Sequence, residues 1–143
     1  MNASPSTHLP RGRESSDFQV ELPATAENVG FARHVLGALG SNAGVGEDSL
    51  DSIRLAVSEA LSNVVAHAYS DEPDGQMAVN VWVEDPGVIV SVSDEGRGID
   101  AADDSPGLGL GLPLITELAE AVELETSHDS GGTVVWMYFA ETG

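Results

Sequence analysis

The chain has no cysteine, no lysine and no long apolar run, and each absence closes off a class of protein. Without cysteine there is neither a disulfide framework of the secreted kind nor a thiolate zinc site, which favours a cytoplasmic location. Without lysine there is no Walker-type phosphate loop, because that loop needs a lysine for the terminal phosphates. The five basic residues are all arginine (Arg11, Arg13, Arg33, Arg54 and Arg97) and face 24 acidic ones, for a formal net charge of -19 at pH 7. A surface so poor in cations lacks what sequence-independent nucleic-acid binding requires, so no direct nucleic-acid contact is expected. No segment approaches the roughly 18 apolar residues of a membrane span, and the N-terminus lacks the basic, apolar and small-residue order of a signal peptide. Neither membrane insertion nor export is expected. The acidity itself has two readings: a solvated surface, or a field that steers in a partner with a basic face.

What is present reads as one domain, since 143 residues can bury a core without staples. Residues 1–16, rich in Ser, Pro, Thr and Arg, read as a disordered leader, and residues 17–143 as the folded part. Phe18 to Leu22 alternates like a short strand. A helix is predicted from about Thr25 to Leu39, ended by Gly40, and a longer one from about Glu47 to Tyr69, where Leu50, Ile53, Val57, Leu61, Val64 and Ala68 recur at helical spacing. Gln76 to Glu84 and Val88 to Ser93 flank the turn Asp85-Pro-Gly87 and should pair antiparallel. A third helix is predicted from about Leu112 to Ala121, with Pro113 at a first-turn position where its missing N–H costs nothing. A second hairpin then joins Val122–Thr126 to Thr133–Phe139. The expected architecture is a two-layer α/β sandwich, a mixed sheet with helices on one face.

Polar residues in three places break this pattern in ways that suit a nucleotide. Glu59 and Asn63 stand one helical turn apart, on a face roughly opposite the apolar stripe, and His67 continues the row. An Asn oxygen is a neutral, hard ligand suited to Mg²⁺ otherwise held by waters and phosphates, and a neighbouring carboxylate can accept a hydroxyl proton. The same pair also fits an ordinary solvated helix face. Asp94 ends an apolar strand, where an acceptor-only carboxylate can receive the exocyclic amine of adenine and would repel the carbonyl of guanine; Gly96 and Gly98 would allow the backbone close to the ring. A glycine-rich turn with Asp in a turn-favoured place would look alike. Gly107, Gly109 and Gly111 precede the third helix, where free N–H groups and the positive end of the helix dipole attract phosphate.

In order and spacing these boxes resemble the ATP-binding domain shared by sensor histidine kinases, gyrase and the heat-shock chaperone ATPase, the Bergerat or GHKL fold. The helix segment Ser58-Glu-Ala-Leu-Ser-Asn-Val-Val-Ala-His-Ala-Tyr69 resembles its N box, Asp94-Glu-Gly-Arg-Gly-Ile99 its first glycine box and Gly109-Leu-Gly-Leu112 its second. Gly132-Thr133 resembles its late Gly-Thr. The resemblance spans about Phe18 to the end and implies an ATP pocket lined by Asn63, Asp94, Gly96, Gly98, Ile99, Gly107, Gly109, Gly111, Leu112 and Thr133.

Within that superfamily the short domain with Ser-Glu-Ala-x-x-Asn-x-x-x-His-Ala-Tyr is most similar to the bacterial anti-sigma-factor serine/threonine kinases. No phosphoacceptor helix is read upstream, so the likeness does not extend to a complete sensor histidine kinase. Members of this family bind a sigma factor and phosphorylate a serine or threonine of the antagonist that would displace it, and they commonly dimerise. The resemblance implies Glu59 as catalytic base, Asn63 as Mg²⁺ ligand, and ATP and Mg²⁺ as cofactors. One departure is the lid between Ile99 and Gly107, which is short and acidic (Asp100, Asp103, Asp104), with only Arg97 nearby. Phosphate charge then falls to Mg²⁺ and the helix N-terminus. The expected function is an ATP-dependent anti-sigma kinase. A module that holds nucleotide and sequesters a partner without phosphorylating it is the alternative, and Glu59 favours the enzyme because a pure holder needs no base.

Overall fold

In a computed structural model the described residues are 15–68, 75–84, 87–94, 113–126 and 132–140. Strand β1 (Phe18–Pro23) leads into helices α1 (Ala26–Asn42) and α2 (Glu47–Asn63), and α2 continues as a π-helical turn, Val64–Ala68. Strands β2 (Gln76–Val83) and β3 (Gly87–Asp94) follow, then helical residues 113–118 (α3), β4 (Ala121–Thr126) and β5 (Thr133–Ala140).

The strands form one sheet in the order β1-β2-β3-β5-β4. Every neighbouring pair is antiparallel. The two-layer α/β sandwich is as expected, but the sheet is antiparallel throughout rather than mixed. The connections explain this. Two helices between β1 and β2 carry the chain up and back, so β2 arrives antiparallel to β1. Between β3 and β4 the chain passes through α3, and β4 does run in the direction of β3. β5 then pairs antiparallel with β4 and lies between it and β3, so the two co-directional strands never become neighbours.

The pleat sorts the side chains. Val79, Val81, Val88, Val90, Val92, Met137 and Phe139 point to the helix layer and pack with Leu36, Ile53, Val57, Leu61 and Ile115 in the main core. The alternate residues Trp82, Ile89 and Tyr138 make a second cluster with Trp136 on the other face, where the two indole rings lie 5.6 Å apart. Trp136 donates its Nε1–H to Glu125 Oε1 at 2.9 Å.

Helix ends differ from the sequence expectation for tertiary reasons. Gly40 does not end α1: a Cβ there would lie 2.4 Å from Leu50 Cδ2, so this glycine serves the close approach of α1 to α2. The helix runs on to Asn42, and the chain turns at Gly44, whose φ of 91° is the left-handed conformation that favours glycine. Substituting Gly40 with alanine is expected to destabilise the fold by about 1–3 kcal/mol through overpacking against the buried Leu50; a urea melt with an unchanged midpoint would contradict this. The α geometry of α2 stops at Asn63 and the helix continues as the π turn Val64–Ala68, while the expected end at Tyr69 lies outside the described residues. Ala121 belongs to β4 and not to α3: the Glu120 amide donates to Tyr138 O at 2.7 Å and pulls the chain into the sheet.

Candidate functional site

Asp94 is the last residue of β3 and Thr133 the first of β5, and the antiparallel register sets them directly opposite one another. Both are 8% exposed. On its other side Asp94 is in register with Met77 of β2, which is buried. These positions continue the helix-facing series Val88, Val90 and Val92, so a carboxylate and a hydroxyl close the apolar sheet face at one end. A carboxylate in such surroundings interacts more strongly with an N–H donor than a solvated one does. An apolar floor with a few convergent polar groups is the usual form of a small-molecule site.

The second part of the site comes from α2. Leu50, Ile53, Val57, Leu61 and Val64 form its buried stripe, as the spacing predicts. Glu59 and Asn63 lie roughly opposite that stripe and are nevertheless half-buried, unlike the exposed Leu55 and Ser62 near them. By helical spacing they occupy the flank turned away from α1, which packs on the Ser58 side. The α-helical repeat that aligns Glu59 with Asn63 ends there, because the next residues form the π turn. The His67 side chain lies outside those described. π turns inside helices recur at functional sites.

The donor set suits a magnesium ion carried by phosphates. Among the described residues no group of three or more His, Cys, Asp or Glu converges as a metal cage. A single neutral Asn oxygen is what Mg²⁺ asks of a protein when substrate and water supply the other ligands. Asn63, half-buried at the end of α2, carries an oxygen of that kind. Gly96, Gly98, Ile99, Gly107, Gly109, Gly111 and Leu112, like Arg97 and the lid aspartates, lie outside the described residues.

Two residues not singled out as site residues stand against this machinery. Ser58, immediately before Glu59, is 7% exposed, donates its hydroxyl to Arg54 O at 2.8 Å, and accepts from Arg33 Nη1 at 3.2 Å. Arg33 comes from α1, a helix the motif does not include. A serine beside Glu59 is visible in sequence, but its partner on another helix is not.

Comparison with known proteins bears on the fold and the family. Residues 22–139 match the model of the histidine kinase-like ATPase domain. The chain is 31% identical over 137 residues to the serine-protein kinase RsbW of Bacillus licheniformis, covering 85% of this chain and 84% of the relative. It is 29% identical over 130 residues to the anti-sigma F factor of Geobacillus stearothermophilus, covering 83% and 89%. It is also 33% identical over 131 residues to an RsbW of Listeria monocytogenes, covering 81% and 82%. Among solved structures, the RsbU and RsbW domains of a Mycobacterium tuberculosis protein superpose with a TM-score of 0.66 at 22% identity, over 86% of this chain and 32% of that one. A blue-light activated histidine kinase domain from Erythrobacter litoralis gives 0.55 at 24%, over 84% and 62%. These two likenesses speak for the fold, and the sequence matches for the family. With an ATPase-domain match over most of its length and kinase relatives aligned over more than four-fifths of both chains, this chain belongs to the anti-sigma-factor serine/threonine kinase family of the histidine kinase-like ATPases.

Proposed function

We propose that the protein is an ATP-dependent serine/threonine kinase that acts as an anti-sigma regulator, binding a sigma factor and phosphorylating a serine or threonine of that factor's antagonist. The observation that carries this is the buried Asp94–Thr133 pair closing the helix-facing side of the sheet, together with Glu59 and Asn63 half-buried on one flank of α2. In this reading Asp94 receives the adenine amine, Thr133 lines the same pocket, and Asn63 holds Mg²⁺. The glycines 96, 98, 107, 109 and 111, with Ile99 and Leu112, complete the nucleotide site. Bound Mg²⁺ neutralises phosphate charge.

Glu59 acts on the protein substrate. Its carboxylate takes the proton of the acceptor hydroxyl as that oxygen bonds to the γ-phosphorus, while the bond from phosphorus to the bridging oxygen breaks and ADP leaves. A base of this kind has no task in a module that only sequesters, which favours the enzyme. A cytoplasmic location and a homodimer belong to the same reading. No helix among the described residues is long and apolar enough to cross a membrane. Sedimentation equilibrium of the purified protein decides between monomer and dimer.

Titration calorimetry with ATP, ADP and GTP tests the nucleotide half. Adenine nucleotides should bind and GTP should not. Asp94→Asn, which turns half of the acceptor into a donor, should lower ATP affinity by about one to two decades, the roughly 1.5–3 kcal/mol of a hydrogen bond to a charged group. Equal affinity for GTP, or an Asp94→Asn protein that binds ATP normally, would remove Asp94 from the role of base reader.

A further inference from the structure

Ser58 carries a load that the nucleotide site does not account for. The buried polar residues among those described are Ser58, Ser91, Asp94 and Thr133, and two of the four are the strand-end pair of the proposed pocket. Ser58 stands one residue before Glu59, and its hydroxyl bonds back to the carbonyl of Arg54, four residues earlier. Back-bonding of this kind competes with the backbone ladder and bends helices locally. The back-bonded turn, Arg54 to Ser58, ends immediately before Glu59, and the switch from α to π geometry follows after Asn63.

The back-bond is held from outside the helix. Arg33 of α1 reaches across and donates to the same hydroxyl, so Ser58 is acceptor to one helix and donor to its own. Arg33 makes no ion pair among the described residues, although the chain is rich in carboxylates; Arg54, close by, is paired with Asp51. Gly30 and Gly37 keep the α1 side of this contact low, and both line the groove in which Arg33 and Arg54 lie. A Cβ on Gly37 would meet the Arg54 guanidinium at 2.6 Å.

We infer that Arg33 and Ser58 form a strut between α1 and α2 that sets the direction of the Glu59 carboxylate, and that both are positioning residues for phosphoryl transfer. This rests on the kinase reading above. A base displaced by a fraction of an ångström loses rate and leaves the ground-state complex intact. Removing either end of the strut acts on turnover and not on nucleotide affinity.

The test measures phosphate transfer from ATP to the co-purified antagonist, together with Mg-ATP titration, for Ser58→Ala, Ser58→Thr, Arg33→Ala and the double variant. Ser58→Ala and Arg33→Ala should each lower kcat by about tenfold at unchanged KM for ATP. Ser58→Thr, which keeps the hydroxyl, should restore it. The double variant should be no worse than either single one, as expected of residues that act through one contact. A loss in Arg33→Ala with a silent Ser58→Ala would show that Arg33 meets the protein partner in the groove instead, and would overturn the strut. Amide hydrogen exchange supplies a readout independent of activity: Glu59–Asn63 should exchange faster in both single variants, with the amides of α1 unchanged. A wild-type protein that transfers no phosphate refutes the kinase reading, and unchanged exchange in both variants refutes the strut whatever the activity.

Discussion

Glu59→Ala is expected to lower phosphate transfer by about 10²- to 10⁴-fold, the usual worth of a positioned general base, with little change in nucleotide or sigma-factor affinity. The side chain lies on the flank of α2 opposite the core stripe and half-buried, so truncation leaves no core cavity and should cost little stability. Asn63→Ala, one turn further on, should behave differently. If its oxygen holds Mg²⁺, the loss appears in the binding of Mg-ATP itself, and less when the nucleotide is offered without the metal. Radiolabelled transfer to the co-purified antagonist, run beside calorimetry on both variants, separates the two effects. A wild-type chain that transfers no phosphate to any bound partner would sink the kinase reading and leave the sequestering module. An Asn63→Ala variant with normal Mg-ATP affinity would take the metal from that residue.

Leu61→Ala should produce the largest loss of stability, about 2–5 kcal/mol, which is the range for deleting a fully buried leucine from a packed core. Leu61 is completely enclosed, in the stripe by which α2 packs on the sheet. Little is left for neighbours to collapse into, because α1 and α2 are already in close contact at Gly37 and Gly40. The stability of small domains is typically only 5–15 kcal/mol, so the variant should unfold at much lower urea concentration. A midpoint shift corresponding to less than about 1 kcal/mol would mean that the sheet and helices close over the gap. The cavity would lie between α2 and the sheet whose end carries Asp94 and Thr133, so Leu61→Ala is also expected to weaken ATP binding indirectly, unlike Glu59→Ala.

The elements and the chemistry were largely written in local pattern. Alternation of Val79, Val81, Val90 and Val92 marks half-buried strands, the period from Leu50 to Val64 marks a helix, and the order of the polar boxes marks the family. Each depends only on residues close in the chain. What local pattern could not carry was how distant pieces meet. Gly40 has the form of a helix stop, but the neighbouring helix needs its missing side chain, and Leu50 occupies the space. The hairpins were legible, but the position of β5 between β3 and β4 was not, and it is that position which sets Thr133 against Asp94 across 39 residues of sequence. The strut from Arg33 to Ser58 spans two helices and 25 residues, and no spacing rule connects them. Residue types and periods therefore determined which secondary structures form and which side chains can bind nucleotide or move a proton, since propensity and amphipathic pattern are properties of neighbours along the chain. Strand order, register and the approach of α1 to α2 were decided only in three dimensions, because they follow from competition among whole packed arrangements for the same buried surface.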